Sequence, residues 1–149
     1  MENILIIGSG GQLGSELEDY LVSLYGREKI YSSDIKKNNS NGENFILLDA
    51  LNKDDIYKTI KENNIKIVYH LAAILSAKGE ANPIQTWNLN MNTLFNVLEL
   101  AKEKVLSKVF WPSSIAVFGP SSPRNPAKQF SIMDPTTVYG ISKLAGERW

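Results

Sequence analysis

Tyr139 and Lys143 stand four residues apart in "VYGISKLAGERW", which puts them on one face of a helix and within reach of a shared ligand. A tyrosine and a lysine at this spacing are common, and alone the pair says little. Ser113 and Ser114 add to it. They close the run "KVFWPSS", read as a strand that ends at the carboxyl edge of a sheet, where open α/β sheets bind ligands. Together these residues suit the removal of a hydride from an alcohol. The tyrosine must act as a base near neutral pH although its ordinary pKa is about 10, and lowering that by about three units asks for roughly 4 kcal/mol. The Lys143 ammonium and the positive ring of an oxidised hydride acceptor supply that between them. Ser114 would hydrogen-bond the substrate oxygen and orient it toward the Tyr139 hydroxyl. The plainer alternative is a tyrosine and serine packed at a sheet edge.

Such a set needs a scaffold, and alternating strands and helices provide one. "NILIIG" is an apolar run ending in glycine, as in a strand buried on both faces of a parallel sheet. Gln12 to about Tyr25 reads as a helix with Leu13, Leu17, Leu21 and Leu24 on one stripe. "KIYSSD" and "FILLD" read as the second and third strands, with the polar "KKNNSNGEN" between them as a mobile loop. Asn52 is placed to cap a helix that has Asp54 and Asp55 in its first turn and Ile56 and Ile60 inside. "IKIVYHLAA" is a fourth strand. Asn82-Pro83 opens a long helix, since proline at the first helical position gives up only an orphan donor. Its apolar stripe runs through Trp87, Met91, Leu94, Leu98, Ala101 and Val105, widened by Phe95 and Val97 into a second partner surface. This alternation predicts a Rossmann-type, doubly wound parallel α/β sheet of strand order 3-2-1-4-5, with residues 1–149 as one dinucleotide-binding domain.

"GSGGQLG", Gly8 to Gly14, then falls between a buried strand and a helix, where backbone N–H groups and the helix N-terminus cradle a diphosphate. A GxGxxG register needs a small residue where Leu13 stands. The GxxGxxG register uses Gly8, Gly11 and Gly14 and leaves Leu13 to face the core. The bland alternative is a glycine-rich turn without a ligand. Asp34 ends the second strand about twenty residues past Gly14, where an acid holds the ribose hydroxyls of NAD and repels the 2′-phosphate of NADP. Lys36 and Lys37 soften that preference, and Asp34 also suits a plain turn. Asp49, after the third strand, either accepts from the adenine amino group or begins a turn.

Bulk properties exclude several classes. The 149 residues are 43% hydrophobic and 21% charged with a formal net charge of zero, so no basic field recruits nucleic acid or anionic lipid. No cysteine is present, which removes disulfides and thiolate metal sites and fits a reducing cytoplasm. The N-terminal apolar run is too short and too acidic in its flank for a signal peptide. "IVYHLAAILSA" is far below the roughly 18 apolar residues of a membrane span. A soluble, cytoplasmic protein without a metal site is expected.

"GSGGQLG", Asp34, "HLAA", "NLNMNTLFNVLELA", "PSSIAVFG" and "YGISK" occur in order, and the chain resembles the extended short-chain dehydrogenase/reductases over its whole length. Within them, "YHLAAILSAKGEANP", "FWPSSIAVFGP" and "PTTVYGISKLAGERW" are similar to the short-chain type of L-threonine 3-dehydrogenase. Sugar-nucleotide epimerases share the first set but lack "LSAKGE". The resemblance implies that Tyr139 is the general base and also meets the cofactor, and that Lys143 assists it and holds the nicotinamide ribose. Ser114 is then the catalytic serine, and Asn90 supports the active site from the fourth helix and meets the cofactor. Ser76 and Ser114 would join Tyr139 in binding the substrate. Around NAD it implies Gly8, Gly11, Gln12, Leu13 and Gly14 at the diphosphate, with Asp34 at the ribose. Asp49 and Ala50 are implied near the adenine, and Leu71, Ala72 and Ala73 along the cofactor. His70 reads as structural, and Trp87 and Trp111 as core or interface.

The reaction implied is oxidation of L-threonine by NAD to 2-amino-3-oxobutanoate. A homodimer is implied through the helices starting near Pro83 and Tyr139. A nucleotide-sugar epimerase or dehydratase, or a non-catalytic NAD-binding module, are the alternatives. Relatives are roughly twice as long, so the fold is expected to stop before the C-terminal substrate-binding part, and the chain alone is expected to show little or no turnover.

Overall fold

The structure, a computed structural model, describes residues 2–37 and 42–149; the middle of the expected mobile loop lies outside the described residues. The described residues group into two compact units. The first comprises those up to Ala73 with Asn92–Pro112, and the second Ile74–Met91 with Ser113–Trp149.

The first unit holds a five-stranded sheet of order β3-β2-β1-β4-β5, all pairs parallel, as expected. Its strands are β1 (Asn3–Ile7), β2 (Ile30–Asp34), β3 (Phe45–Leu47), β4 (Ile65–His70) and β5 (Lys108–Phe110). β1 explains the layering. Leu5 and Ile7 point into a cluster with Ile56, Ile60, Val68, Val97 and Leu100, while Ile4 and Ile6 point into another with Leu21 and Ile30. Every second residue serves the opposite face, so a continuous apolar run is what a central strand covered on both sides requires.

The helices of this unit are α1 (Gln12–Tyr25), α2 (Lys53–Glu62) and the C-terminal half of α4 (Pro83–Lys102). Asn52 caps α2 by accepting from the Asp55 N–H, and Ile56 and Ile60 are fully buried. The second unit holds α3 (Ser76–Gly79), the N-terminal half of α4, a 3-10 turn at Ile115–Val117 and α5 (Val138–Arg148).

Several local expectations are corrected. Leu13 does not face the core. It is 68% exposed, and Leu24 is 51% exposed, because the residue that α1 presses against the β1 loop is Gly14, about 100° further round the helix. The third strand ends at Leu47, and Leu71–Ala73 lie past the end of β4. β5 ends at Phe110, not at Ser114; Pro112 has no N–H to continue a ladder. On α4 the buried stripe runs through Thr86, Asn90, Thr93, Val97 and Leu100, with Met91 and Leu94 beside it, whereas Trp87 is exposed and Val105 follows the helix end. An apolar-only reading misses that stripe because three of its members are polar and satisfied by hydrogen bonds.

Candidate functional site

In the first unit the residues assigned to a cofactor meet at the carboxyl ends of the strands. β1 turns at Gly8, whose φ of +92° suits glycine. A Cβ there would lie 2.7 Å from the Ala72 nitrogen, so the chain leaving β4 passes directly against the loop. Leu71 is tied down by donating its N–H to the Ile7 carbonyl at 2.8 Å. A Cβ on Gly14 would run into the Gly8 oxygen and lie 2.6 Å from Ser9 Cα. Gly11 differs: a Cβ there meets nothing nearer than the Gly8 oxygen at 3.6 Å, so its outer side is open.

No side chain caps α1 after Gly11. The N–H groups of Gln12 and Leu13 therefore begin the helix with its positive end uncovered, which suits a diphosphate. Asp34 stands beside this loop. Its Oδ2 accepts the Gly10 N–H at 3.0 Å and its Oδ1 the Lys36 N–H at 3.4 Å. Asp49 makes the turn that was one of its two readings: Oδ1 accepts the Leu51 N–H at 2.9 Å, and its carbonyl accepts the Asn52 N–H at 2.9 Å. Asn96 fixes the neighbouring Ala50 by donating to its carbonyl at 2.9 Å. His70 is fully buried at the end of β4, with Nε2 3.1 Å from Thr93 Oγ1. An open glycine, an uncapped helix and a carboxylate at the loop tip fit the diphosphate and ribose of NAD.

The second unit holds the catalytic candidates. Thr137 caps α5 by accepting the Gly140 N–H at 3.0 Å, and α5 then displays Tyr139 and Lys143. Gly140 lets this turn lie directly against the Ala116 carbonyl, which any Cβ would strike. Ala116 belongs to the turn that Ser114 caps, its N–H reaching Ser114 Oγ at 3.2 Å. Glycine beside Tyr139 thus brings the serine turn to the tyrosine helix. Ser114 acts as an acceptor toward Ala116, which leaves the donor capacity of its O–H unused by that bond. Ser113 instead donates to Glu147.

Lys143 is 4% exposed, with Nζ 5.7 Å from the Tyr139 ring centroid. Burial lowers its pKa from 10.5 to about 8, which still leaves an ammonium at neutral pH. Asn90 is buried on α4, and Ser76, half-buried, opens α3. Beside Ser114 a cleft of about 530 Å³ is lined by Ser113, Phe118, Lys128, Met133 and Glu147 among others. The sequence reading missed Glu80, Gly140 and Glu147. Only Gly140 carries a local signal, as a glycine inside a helix. Among the described residues no three His, Asp or Glu side chains group to hold a metal ion, and no helix is long and apolar enough to cross a membrane.

A parallel sheet of this order with a glycine loop after β1 defines a Rossmann-type dinucleotide-binding fold. The chain belongs to the NAD-dependent epimerase/dehydratase family, whose model matches residues 4–149, and NAD is the cofactor of that family. A Staphylococcus epidermidis protein described as an uncharacterized epimerase/dehydratase is 40% identical over 152 residues, which are 99% of this chain and 47% of that protein. The chain thus spans about half the length of the curated relatives it matches. Among solved structures, a partial consensus L-threonine 3-dehydrogenase superposes with a TM-score of 0.95 at 49% identity, covering 99% of this chain and 48% of that one. The holo form of a GalE-like L-threonine dehydrogenase from Cupriavidus necator gives 0.95 at 47% identity, covering 99% and 49%.

Proposed function

We propose that these residues carry the cofactor-binding and proton-transfer groups of an NAD-dependent L-threonine 3-dehydrogenase. The observation that carries this reading is the approach of Gly140 to Ala116, which sets the Ser114 turn beside the helix bearing Tyr139 and Lys143. Likeness at 47% identity to the Cupriavidus necator enzyme, and the "LSAKGE" segment, support threonine as the substrate.

Gly8 and Gly14 let the loop close against Ala72 and Ser9, Gly11 leaves the diphosphate room, and the Gln12 and Leu13 N–H groups are directed at it. Asp34 receives the ribose hydroxyls. Asp49, Ala50 and Leu71–Ala73 line the adenine and the rest of the cofactor. Bound NAD supplies the hydride acceptor for Cβ of threonine. Ser114 donates a hydrogen bond to the β-hydroxyl oxygen, and Tyr139 takes the hydroxyl proton, so that the oxygen becomes the ketone of 2-amino-3-oxobutanoate. Lys143 favours the ionised tyrosine by its charge and holds the nicotinamide ribose. Asn90 holds the loop that carries Ser76 to the substrate.

We assign the reaction to the cytoplasm. A homodimer would form through the exposed Ile84 and Trp87 of α4, Ile141 of α5 and Trp149 just after it. Residues 1–149 taken on their own would bind NAD with little turnover, the relatives being about twice this length. The Staphylococcus epidermidis relative is described only as an epimerase/dehydratase, and the second reading is a nucleotide-sugar epimerase or dehydratase that retains its NAD. Joining residues 1–149 to the C-terminal half of the Cupriavidus necator enzyme and supplying L-threonine, UDP-glucose or a dTDP-sugar separates the two. Net NADH formation with threonine alone supports the dehydrogenase; conversion of a sugar nucleotide without net NADH supports the alternative.

A further inference from the structure

The first turn of α5 is held by a residue far away in sequence. Thr137 takes the Gly140 N–H, but the Val138 N–H goes to Glu80 Oε1 at 2.7 Å, 58 residues earlier in the chain. Glu80 directly follows α3, where its own N–H donates to the Ser76 carbonyl at 3.1 Å. One carboxylate therefore links the loop bearing Ser76 to the residue before Tyr139.

The rest of that loop is anchored as firmly. Asn90 brackets Ile74, accepting its N–H at 2.8 Å and donating to its carbonyl at 3.0 Å. Thr86 donates to the Gly79 carbonyl at 3.1 Å. Asn90 Nδ2 also lies 3.4 Å from Ser142 Oγ, and that hydroxyl donates to the Tyr139 carbonyl at 2.7 Å. The loop from Ile74 to Glu80 is thus fixed to α4 at Ile74 and Gly79 and to α5 at Glu80. Thr137 already supplies the helix with its side-chain cap. The Glu80 bond adds a directional, charge-assisted tie that orients the first turn of α5.

We infer that Glu80 is a positioning residue, holding the α5 turn with Tyr139 and Lys143 in register with the Ser76 loop. This rests on the proposed roles of Tyr139 and Lys143 toward the cofactor, Lys143 at its nicotinamide ribose. A glutamine at this position still accepts the Val138 N–H; an alanine does not.

Calorimetry on the 149-residue chain tests it, using NAD and ADP, the latter carrying only the adenosine diphosphate half. Wild type, Glu80→Ala, Glu80→Gln and Tyr139→Phe are compared. ADP affinity should stay within about twofold throughout, because neither Glu80 nor Val138 belongs to the glycine loop and Asp34 assigned to it. NAD affinity should fall roughly five- to tenfold in Glu80→Ala and return to within about twofold of wild type in Glu80→Gln. Equal NAD-to-ADP ratios in wild type and Glu80→Ala overturn the inference, as does parallel weakening of both ligands, which marks a merely structural role. If Tyr139→Phe lowers the ratio while Glu80→Ala does not, this inference alone falls. If wild type binds NAD no better than ADP, the assigned roles of Tyr139 and Lys143 fall and take it with them.

Discussion

The side-chain amide of Asn90 closes on both backbone polar atoms of Ile74, accepting from the nitrogen at 2.8 Å and donating to the oxygen at 3.0 Å. Asn90 is 4% exposed, and its removal takes the side-chain partner from a half-buried N–H and C=O. Asn90→Ala is expected to lower stability by about 2–4 kcal/mol. Asn90→Asp keeps the acceptor, loses the donor and buries a charge, and should cost at least as much near neutral pH. Urea unfolding followed by circular dichroism measures both; a midpoint within error of wild type for Asn90→Ala contradicts the clamp.

The glycine loop separates folding from binding. Gly14→Ala forces a methyl into the Gly8 and Ser9 backbone and should cost more than about 2 kcal/mol. Gly11 has an ordinary φ of −81° and an open outer side, so Gly11→Ala should melt within about 2 °C of wild type. Its methyl would occupy the open side proposed for the diphosphate, and NAD should bind at least about tenfold more weakly. Equal NAD affinity in Gly11→Ala would move the diphosphate elsewhere.

Asp34 is the residue proposed to select between the two dinucleotides. Its carboxylate stands at the loop tip, holding the Gly10 N–H at 3.0 Å. NADP should bind at least about tenfold more weakly than NAD, since a second negative group meets the 2′-phosphate. Asp34→Asn keeps an oxygen for Gly10 but drops the charge, so the two affinities should converge to within about threefold. Paired titrations of both dinucleotides read this directly. Unchanged discrimination in Asp34→Asn excludes the carboxylate as its source.

Lys143 illustrates a residue kept at a cost to stability. Its folded pKa is about 8 against an ordinary 10.5 because burial disfavours the ammonium. Below about pH 8 the folded chain holds a buried charge that the unfolded chain exposes to water. Between about 8 and 10.5 the folded state has released the proton while the unfolded state keeps it, so stability contributed at this site rises with pH. Lys143→Met should therefore be more stable than wild type near pH 7, and the advantage should shrink from pH 8 upward. The same variant should bind NAD less tightly. Unfolding midpoints of both chains at pH 7, 8.5 and 10 test the sign; an advantage that grows with pH contradicts it.

Much of the scaffold is legible in local sequence because its signals are local. The run "NILIIG" marks β1, Asn52 marks the start of α2, and Pro83 marks that of α4. Faces are harder to read than boundaries. α4 turns Thr86, Asn90 and Thr93 inward, and polar residues vanish from an apolar periodicity even when their hydrogen bonds make burial favourable. Leu13 invites the opposite error. It continues a leucine stripe, yet close packing at Gly14 decides which side of the first turn faces inward.

The site divides in the same way. Tyr139, Lys143 and Ser114 stand out by type and spacing, and Ser114 emerges as a turn cap where a strand end was expected. Glu80, whose partner is Val138, and Glu147, whose partner is Ser113, lie 58 and 34 residues from those partners. Such pairings come from topology, and neither carboxylate has a distinguishing local pattern.

The most direct test is the rate of L-threonine-dependent NADH formation, read at 340 nm, in residues 1–149 joined to the C-terminal half of the Cupriavidus necator enzyme, with and without Tyr139→Phe. With Tyr139 as the base, NADH appears with threonine, and the substitution lowers the rate at least about 100-fold while NAD still binds. An undiminished rate in Tyr139→Phe, or no NADH from threonine in a chimera that binds NAD, contradicts the account.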